Sequence, residues 1–257
     1  DQTGIGKGRV VAAIIRYAIR QGRSPVFVTE KPTLYADMYR DMTDIGMQDM
    51  LGRDINIMMS NASQSIPLND DGSKVLKSSG PAKHTEMLNR LAAKGLKAEG
   101  VDALFTTYSQ MQTLKGQETE RQRAIRAIAT GGVLILDESH NAGGSGPGMI
   151  KKKGAGPNRA EFVRELVGLA HGVFYSSATY AKRPDVMDLY AATDMRLAVD
   201  DMDKLADAIA KGGVPMQQAV AAMLSRAGQY VRRERSFDGI AYNTPIAEVD
   251  RETYGQA

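Results

Sequence analysis

Four apolar residues, Val133-Leu-Ile-Leu136, lead directly into the polar run Asp137-Glu-Ser-His140. A short, continuous apolar run that ends in polar residues is typical of a strand buried on both faces, as the strands of parallel sheets are. Such a strand would deliver the Asp137 and Glu138 carboxylates at its carboxyl end, where open α/β sheets bind their ligands. This stretch therefore predicts a parallel sheet with polar side chains at one edge.

The sequence around this strand alternates apolar runs with helical patterns, which is typical of a parallel sheet covered by helices. Further strands are predicted at 25–29, 54–60, 101–106 and 173–176, and helices at 8–21, 32–44, 84–96, 117–130 and 159–171. Residues 61–80 predict a long excursion or hairpin, and only helices are predicted beyond residue 201, at about 201–211 and 214–227. We expect an α/β domain over residues 1–195 and a helical extension over residues 196–257.

The composition excludes several classes of protein. The chain has 257 residues, 42% of them apolar and 25% charged, with a net charge of +3, three His and no Cys. Without Cys there is no disulfide framework, no zinc-thiolate site and no cysteine nucleophile, and three scattered His are too few for a zinc site. No apolar run approaches the ~20 residues of a membrane span. The small positive charge permits a nucleic-acid partner without arguing for one.

A glycine-rich segment, Thr3-Gly-Ile-Gly-Lys7-Gly-Arg9, leads into the helix predicted at 8–21. Backbone N–H groups at a helix N-terminus favour anions, and glycines let a phosphate approach the backbone. Lys7 would add a positive charge for the β- and γ-phosphates of a nucleotide. Gly8, however, stands where a Ser or Thr hydroxyl usually binds Mg²⁺, and Asp1 replaces the first glycine of the usual pattern. A plain connection before a helix remains an alternative for this segment.

The adjacent carboxylates at the end of the strand at 133–136 suggest a role in nucleotide hydrolysis. Asp137 would hold Mg²⁺, directly or through water, and Glu138 would orient and activate the attacking water. Alternatively, both residues cap the following turn. The Gly-Lys segment and the Asp-Glu pair lie more than a hundred residues apart, both next to predicted strand-to-helix edges. This combination favours the nucleotide site.

A third motif, Tyr175-Ser-Ser-Ala-Thr179, follows the strand predicted at 173–176. The hydroxyls of Ser177 and Thr179 could hydrogen-bond the carboxylate motif and relay the nucleotide state to a bound strand. His140 would link the nucleotide and nucleic-acid states. An ordinary strand end made of small residues is the alternative, but the order and spacing after the carboxylate motif favour the functional interpretation.

In this order, the three motifs resemble those of the first RecA-like domain of superfamily 2 helicases and translocases. The resemblance is greater to the Strawberry notch family, whose P-loop also contains Gly-Lys-Gly-Arg. It extends to residues 29–46, to Thr106-Thr-Tyr-Ser-Gln110 and to the stretch 212–239, and so covers nearly the whole chain. Gly8 follows the family pattern, and Thr3 is one candidate for replacing the missing hydroxyl on Mg²⁺.

This resemblance implies a RecA-like P-loop domain that binds and hydrolyses ATP, with Mg²⁺, in a nucleic-acid-dependent motor. The resemblance implies that the nucleotide-binding residues are Thr3, Gly4, Ile5, Gly6, Lys7, Gly8 and Arg9. It implies that Lys7, Asp137 and Glu138 are catalytic, with Asp137 as a metal ligand. The implied coupling residues are His140, Ser177 and Thr179. The implied partners are a nucleic acid, DNA rather than RNA, and a second RecA-like domain with an arginine finger. No membrane is implied, and the expected compartment is the cytoplasm, or the nucleus in a eukaryote.

The organisation of the chain adds two expectations. No strand is predicted before the P-loop, and no second RecA-like repeat is predicted after residue 195, so we expect half of a motor with weak ATPase activity in isolation. A different class of function is also open, namely a non-catalytic nucleotide-binding interaction module of a transcriptional co-regulator or phage protein. The Asp137-Glu138 pair favours catalysis, because a pure binding module does not need both carboxylates.

Overall fold

A five-stranded parallel sheet lies at the centre of the structure. The structure is a computed structural model, and it describes residues 6–143, 158–177, 189–190, 193 and 202–230. The strands of this sheet are β1 (Pro25–Thr29), β2 (Ile57–Met59), β5 (Ala103–Thr107), β6 (Val133–Asp137) and β7 (Gly172–Ser176). Across the sheet they lie in the order β2-β5-β1-β6-β7. The helices are α1 (Lys7–Arg20), α2 (Leu34–Asp44), α3 (Met47–Leu51), α4 (Pro81–Lys94), α5 (Glu120–Ala129), α6 (Arg159–Leu169) and α7 (Met202–Arg226). This is the α/β fold, RecA-like with helices flanking a parallel sheet, that the sequence predicts.

Helices cover both faces of the sheet because successive strand residues point to opposite faces. On β1, Val26 and Val28 pack into one core with side chains from α4, α5 and α6. Phe27, between them, packs into a second core with side chains from α1 and α2. The edge-to-face pair of Phe27 and Phe105, with ring centroids 5.0 Å apart, ties β1 to β5 in that second core. Burial on both faces explains why the strands are continuous apolar runs.

The parallel register brings polar side chains into line at the carboxyl edge of the sheet. Thr29 of β1 is the register partner of Thr107 of β5, and Asp137 of β6 is the partner of Ser176 of β7. Val28 pairs with Leu136, so Thr29 lies next to Asp137 at this edge. The fold thus places four polar residues side by side where a ligand of an open α/β sheet is expected.

The predicted elements are confirmed, with shifted boundaries. The excursion at 61–80 is an antiparallel hairpin of β3 (Ser65–Pro67) and β4 (Val75–Lys77). Helix α5 begins at Glu120 rather than 117, because Thr119 and Gln122 form a capping box there. The short helix α3 and a 3₁₀ turn at Tyr108–Met111 were not predicted. In both cases the apolar periodicity is too short to identify a helix.

The helical extension follows its prediction in the part that the structure describes. Two helices were predicted at 201–211 and 214–227, and α7 is interrupted at Gly213, whose φ of 57° and ψ of −146° are not helical. Residues 231–257 lie outside the described residues, as does the predicted domain boundary near residue 195, so the division into domains stays a prediction. Within the described ranges, no helix has both the length and the apolar character needed to cross a membrane.

Candidate active site

The first turn of α1 brings Lys7 to the carboxylates at the end of β6. Gly6, which precedes the helix, has a φ of 74° and a ψ of 22°, a left-handed conformation that glycine adopts without strain. The Lys7 Nζ atom lies 3.2 Å from Asp137 Oδ1 and donates a hydrogen bond to Glu138 Oε1. The three residues predicted to be catalytic therefore meet at one point of the sheet edge.

The charge of Lys7 is stabilised by this arrangement. Burial lowers the pKa of the Lys7 ammonium, but the attraction of Asp137 and Glu138 outweighs that cost and leaves the pKa above its ordinary value of 10.5. Lys7 is therefore cationic at neutral pH. A partly buried ammonium is a strong site for a phosphate, because the low local dielectric strengthens its attraction for an anion.

Asp137 is held in place by one residue of the adjacent strand β1 and one residue of the 3₁₀ turn that follows β5. Thr29 Oγ1 donates a hydrogen bond of 3.1 Å to Asp137 Oδ2, and the Tyr108 hydroxyl donates one of 2.9 Å to the Asp137 backbone carbonyl. Tyr108 is 2% exposed, as expected for a packed tyrosine. Asp137 Oδ1 is buried and accepts no well-aligned hydrogen bond from the described residues, although Lys7 is within ion-pair distance. The carboxylate is thus oriented by one oxygen and leaves the other available to a cation.

Glu138 occupies a strained backbone position. Its φ of 47° and ψ of 52° are left-handed, a conformation rare for residues other than glycine. Such positions cost about 1–3 kcal/mol and persist where the surrounding structure fixes them, often at active sites. The turn sends the Glu138 side chain towards Lys7, while the next residue, Ser139, is buried against Tyr190 with 2.9 Å between their hydroxyl oxygens. Burial raises the pKa of the Tyr190 hydroxyl to about 12, so this phenol stays neutral.

His140 connects the carboxylate motif to β7. Its Nδ1 atom lies 3.3 Å from Ser177 Oγ and 3.5 Å from Glu138 Oε2. Ser177 therefore contacts the motif through His140, and the contact of Ser177 with the carboxylates themselves stays a prediction. Thr179 lies outside the described residues. These contacts link Glu138 through His140 to the residue that follows β7.

Two predicted nucleotide-binding residues face α2 in this structure. A Cβ atom added at Gly8 would lie 1.8 Å from Asp41 Oδ2 and 2.9 Å from Asp41 Cγ, so no side chain fits there unless Asp41 moves. The Arg9 guanidinium is largely exposed and lies 3.4 Å from Asp44 Oδ2, away from Asp137 and Glu138. The remaining predicted contacts, Thr3, Gly4 and Ile5, lie outside the described residues, so the nucleotide contacts of this loop stay predictions.

The donor set at this edge fits Mg²⁺ bound together with a nucleotide. Among the described residues, no group of three or more His, Asp or Glu side chains could hold a metal ion by itself. Mg²⁺ usually keeps several waters and binds one or two carboxylates plus substrate phosphates, so a closed protein cage is not needed. The available Asp137 Oδ1 is the type of oxygen ligand that this ion prefers.

Sequence reasoning missed two residues that orient Asp137, and it missed the approach of Asp41 to Gly8. Thr29 and Tyr108 orient Asp137, and both could have been found, because each lies at the carboxyl end of a strand in the same parallel sheet. Asp41 has no such signal. Its approach to Gly8 depends on how α1 and α2 pack, which apolar periodicity does not determine.

A cavity of 540 Å³ lies beyond the same end of β5. Polar side chains of the segment that follows β5 line it, among them Ser109, Gln112, Thr113 and Thr119, together with Arg121 of α5. Burial lowers the pKa of the Arg121 guanidinium, and its buried Nε atom has no hydrogen-bond partner among the described residues. Arg121 thus brings an uncompensated positive charge to a polar cavity.

The neighbouring acidic residues do not neutralise Arg121. Glu118 forms an ion pair with Arg126, and Glu120 lies 3.8 Å from the guanidinium of Arg123. Within the described ranges, Arg121 itself makes no ion pair. The cavity is therefore a candidate site for an anionic group.

Comparisons with known proteins support the fold and identify the family. The family model described as "P-loop containing NTP hydrolase pore-1" matches residues 1–255. The protein strawberry notch homolog of Caenorhabditis elegans is 27% identical over 98% of this chain, and Drosophila melanogaster strawberry notch is 24% identical over 100% of it. Human strawberry notch homolog 2 is 27% identical over 100% of the chain. This chain spans only 13%, 15% and 17% of these three proteins, respectively.

Proposed function

The chain belongs to the P-loop containing NTP hydrolase pore-1 family and is a P-loop NTPase domain of the Strawberry notch type, and from this premise we propose that it binds and hydrolyses ATP in a nucleic-acid-dependent helicase or translocase. The observation that carries the proposal is the meeting of Lys7, Asp137 and Glu138 at the carboxyl edge of the sheet. A phosphate-binding cation and two carboxylates on one edge are the groups that phosphoryl transfer to water needs.

The residues of the site would divide the work of hydrolysis. Lys7 binds the β- and γ-phosphates, which requires its ammonium to exchange its carboxylate partners for phosphate oxygens. Asp137, oriented by Thr29, holds the metal through its available oxygen. When bound, Mg²⁺ would neutralise part of the negative charge on the phosphates. Glu138, released from Lys7, orients the attacking water and accepts its proton.

Coupling to a nucleic acid is the second part of the proposal. The contacts from Glu138 through His140 to Ser177 offer a route from the water-activating residue to β7. The polar cavity with the unpaired Arg121 would hold a backbone phosphate of a single strand, with DNA as the first candidate. Lys7 and Arg121 are two separate positive charges near one sheet edge, and a nucleotide at the first with a strand at the second would make the ATPase rate respond to nucleic acid.

A second RecA-like domain is the proposed partner of this chain. Phosphoryl transfer gains roughly 10³–10⁵ in rate from an arginine finger that stabilises the transition state. Within the described residues, no arginine contacts Asp137 or Glu138, so we propose that this charge comes from another domain. The chain alone is accordingly expected to hydrolyse ATP slowly.

The proposal is tested by measuring ATP turnover of the 257-residue chain and of a longer parent protein, with and without single-stranded DNA or RNA. We expect slow turnover by the chain and nucleic-acid-stimulated turnover by the parent. Nucleotide binding without any turnover by the parent would instead favour the non-catalytic interaction module. Strong stimulation of the chain alone would show that the catalytic arginine lies within it.

A further inference from the structure

Buried tyrosines contact the left-handed turn at Glu138 from both sides. Three residues other than glycine have a positive φ in the described part of the chain, and of these only Glu138 directly follows a strand of the sheet. A residue with a side chain keeps such a conformation where the surrounding structure fixes it. The contacts of the two flanking residues, Asp137 and Ser139, therefore determine how firmly the turn is held.

Tyr108 holds the peptide group that joins Asp137 to Glu138. Its hydroxyl donates a hydrogen bond of 2.9 Å to the Asp137 carbonyl oxygen, which belongs to that peptide group. Because the peptide group is planar, a rotation of the Glu138 N–H into a right-handed turn would also rotate this carbonyl and break the bond. Burial, followed by the negative charge of Asp137, raises the pKa of the Tyr108 hydroxyl well above 10.0, so it keeps the proton that it donates.

Tyr190 holds the residue on the other side of the turn. The hydroxyl oxygens of Tyr190 and Ser139 lie 2.9 Å apart, and both residues are buried. Tyr190 is itself attached to β7, because its ring packs against that of Tyr175 with 4.8 Å between the centroids, and the Tyr175 hydroxyl donates a hydrogen bond of 2.6 Å to the Leu189 carbonyl. A shift of Ser139 would therefore break a buried hydrogen bond.

The two tyrosines reach the turn from opposite sides of β6. Tyr108 follows β5, Tyr190 packs on β7, and these strands flank β6 in the strand order of the sheet. We propose that Tyr108 and Tyr190, called here the tyrosine clamp, are positioning residues that keep Glu138 left-handed and thereby aim its carboxylate at the attacking water. This inference rests on the proposed function and adds to it the groups that orient the water-activating residue.

The clamp acts on hydrolysis rather than on nucleotide affinity. Without it, the strained turn can relax, and the Glu138 carboxylate then leaves its place beside Lys7. A displacement of about 1 Å at a reacting group can lower the rate by about 10²-fold. Lys7 lies on α1, which the clamp does not contact through these hydrogen bonds, so the cation proposed to bind phosphates stays in place.

The first experiment tests the conformation of the turn and needs no nucleotide. Glu138→Gly and Glu138→Ala both remove the hydrogen bond with Lys7, but only glycine adopts a positive φ without strain. Urea denaturation should therefore show Glu138→Gly to be more stable than Glu138→Ala in the otherwise wild-type chain. In the Tyr108→Phe/Tyr190→Phe background this advantage of glycine should disappear, because a released turn can become right-handed, where alanine is favoured.

Tyr35→Phe is the matched control background. Tyr35 is also buried, and its hydroxyl donates a hydrogen bond of 2.7 Å to Asn61 Oδ1, away from the turn at Glu138. Its substitution removes a buried hydroxyl of the same kind, so it lowers the stability of the fold. The advantage of Glu138→Gly over Glu138→Ala should nevertheless persist in this background.

The second experiment measures single-turnover phosphate release by the 257-residue chain, together with its affinity for ATP. Tyr108→Phe and Tyr190→Phe should each release phosphate about tenfold more slowly, and the double variant about 10²-fold more slowly, with ATP affinities close to that of the wild type. Tyr35→Phe should keep the wild-type rate. If the double variant does not fold, the two single variants provide both comparisons.

The outcomes separate the clamp from the proposed function. An equal advantage of glycine with and without the two tyrosine hydroxyls would overturn the clamp. Phosphate release at the wild-type rate, or equal losses of ATP affinity and rate, would overturn its role in positioning Glu138. Absence of phosphate release by the wild type, in the chain and in a longer parent, would remove the proposed function, while the comparison of glycine with alanine would still decide whether the clamp holds the turn.

Discussion

Lys7 and Glu138, 131 positions apart in the chain, share a hydrogen bond across the carboxyl edge of the sheet. This contact joins the cation proposed to bind phosphates to the carboxylate proposed to activate water. The bond also means that each residue satisfies the other before a nucleotide binds. In the proposed function, ATP binding separates the pair, and this separation would make Glu138 available to water only when phosphates occupy Lys7.

Replacing Lys7 should abolish most of the affinity for ATP. In Lys7→Ala, the charge-assisted contacts with the phosphates are lost, and hydrogen bonds to charged groups contribute about 1.5–3 kcal/mol each, or roughly ten- to a hundredfold in affinity. Calorimetric titration with ATP and Mg²⁺ measures this change. The control is Arg9→Ala, whose guanidinium lies at Asp44 and should matter much less. Equal affinity of the wild type and Lys7→Ala would contradict the assignment.

Removing the hydroxyl of Tyr108 should destabilise the fold locally at Asp137. In Tyr108→Phe, the backbone carbonyl of Asp137 loses its buried donor, which costs about 1–3 kcal/mol of the free energy of unfolding. Urea denaturation gives the difference directly. Tyr17→Phe is the matched control, because Tyr17 is 62% exposed and its substitution should leave the stability unchanged. A Tyr108→Phe protein as stable as the wild type would show that water satisfies this carbonyl.

Removing the positive charge of Arg121 from the cavity beside α5 should weaken nucleic-acid binding. We expect Arg121→Gln to bind single-stranded DNA less tightly and with a smaller salt dependence. One lost phosphate contact lowers the slope of log K against log salt by about 0.7 for a single strand. Fluorescence anisotropy at several salt concentrations measures both effects. Arg123→Gln, which removes an equal charge from the exposed side of the same helix, should cause a smaller loss. Equal losses in the two variants would mean that only net charge matters.

The stability of the fold should fall in mild acid because of His84. Burial lowers the pKa of the His84 imidazole below its ordinary value of 6.5, and the nearby Arg121 lowers it further. As the pH falls, the unfolded chain therefore takes up the proton first, so the free energy of unfolding decreases below about pH 6.5 and levels off below the lowered pKa.

The His84 effect can be separated from other titrations by substitution. Urea denaturation between pH 7.5 and 5.5 should show a smaller pH dependence in His84→Gln than in the wild type, while His171→Gln, at an exposed position, should keep the wild-type dependence. Parallel pH profiles for the wild type and His84→Gln would rule out this contribution.

The sequence determines the sheet and the meeting of Lys7, Asp137 and Glu138, because buried parallel strands are continuous apolar runs and their carboxyl ends share one edge. It does not determine how helices pack on that sheet. The contact of Asp41 with Gly8 depends on the packing of α1 against α2, and so does the position of Arg9 at Asp44. The left-handed backbone of Glu138 is also invisible in the sequence, since glutamate has no preference for it.

The central claim is that Glu138 activates water at a nucleotide held by Lys7. Single-turnover release of phosphate from radiolabelled ATP, with protein in excess over ATP, measures this step even when turnover is slow. For Glu138→Gln, the account predicts an ATP affinity close to that of the wild type and a rate of phosphate release lower by about 10²–10⁴-fold, the usual contribution of a general base. Phosphate release at the wild-type rate, or loss of ATP binding together with hydrolysis, would contradict it.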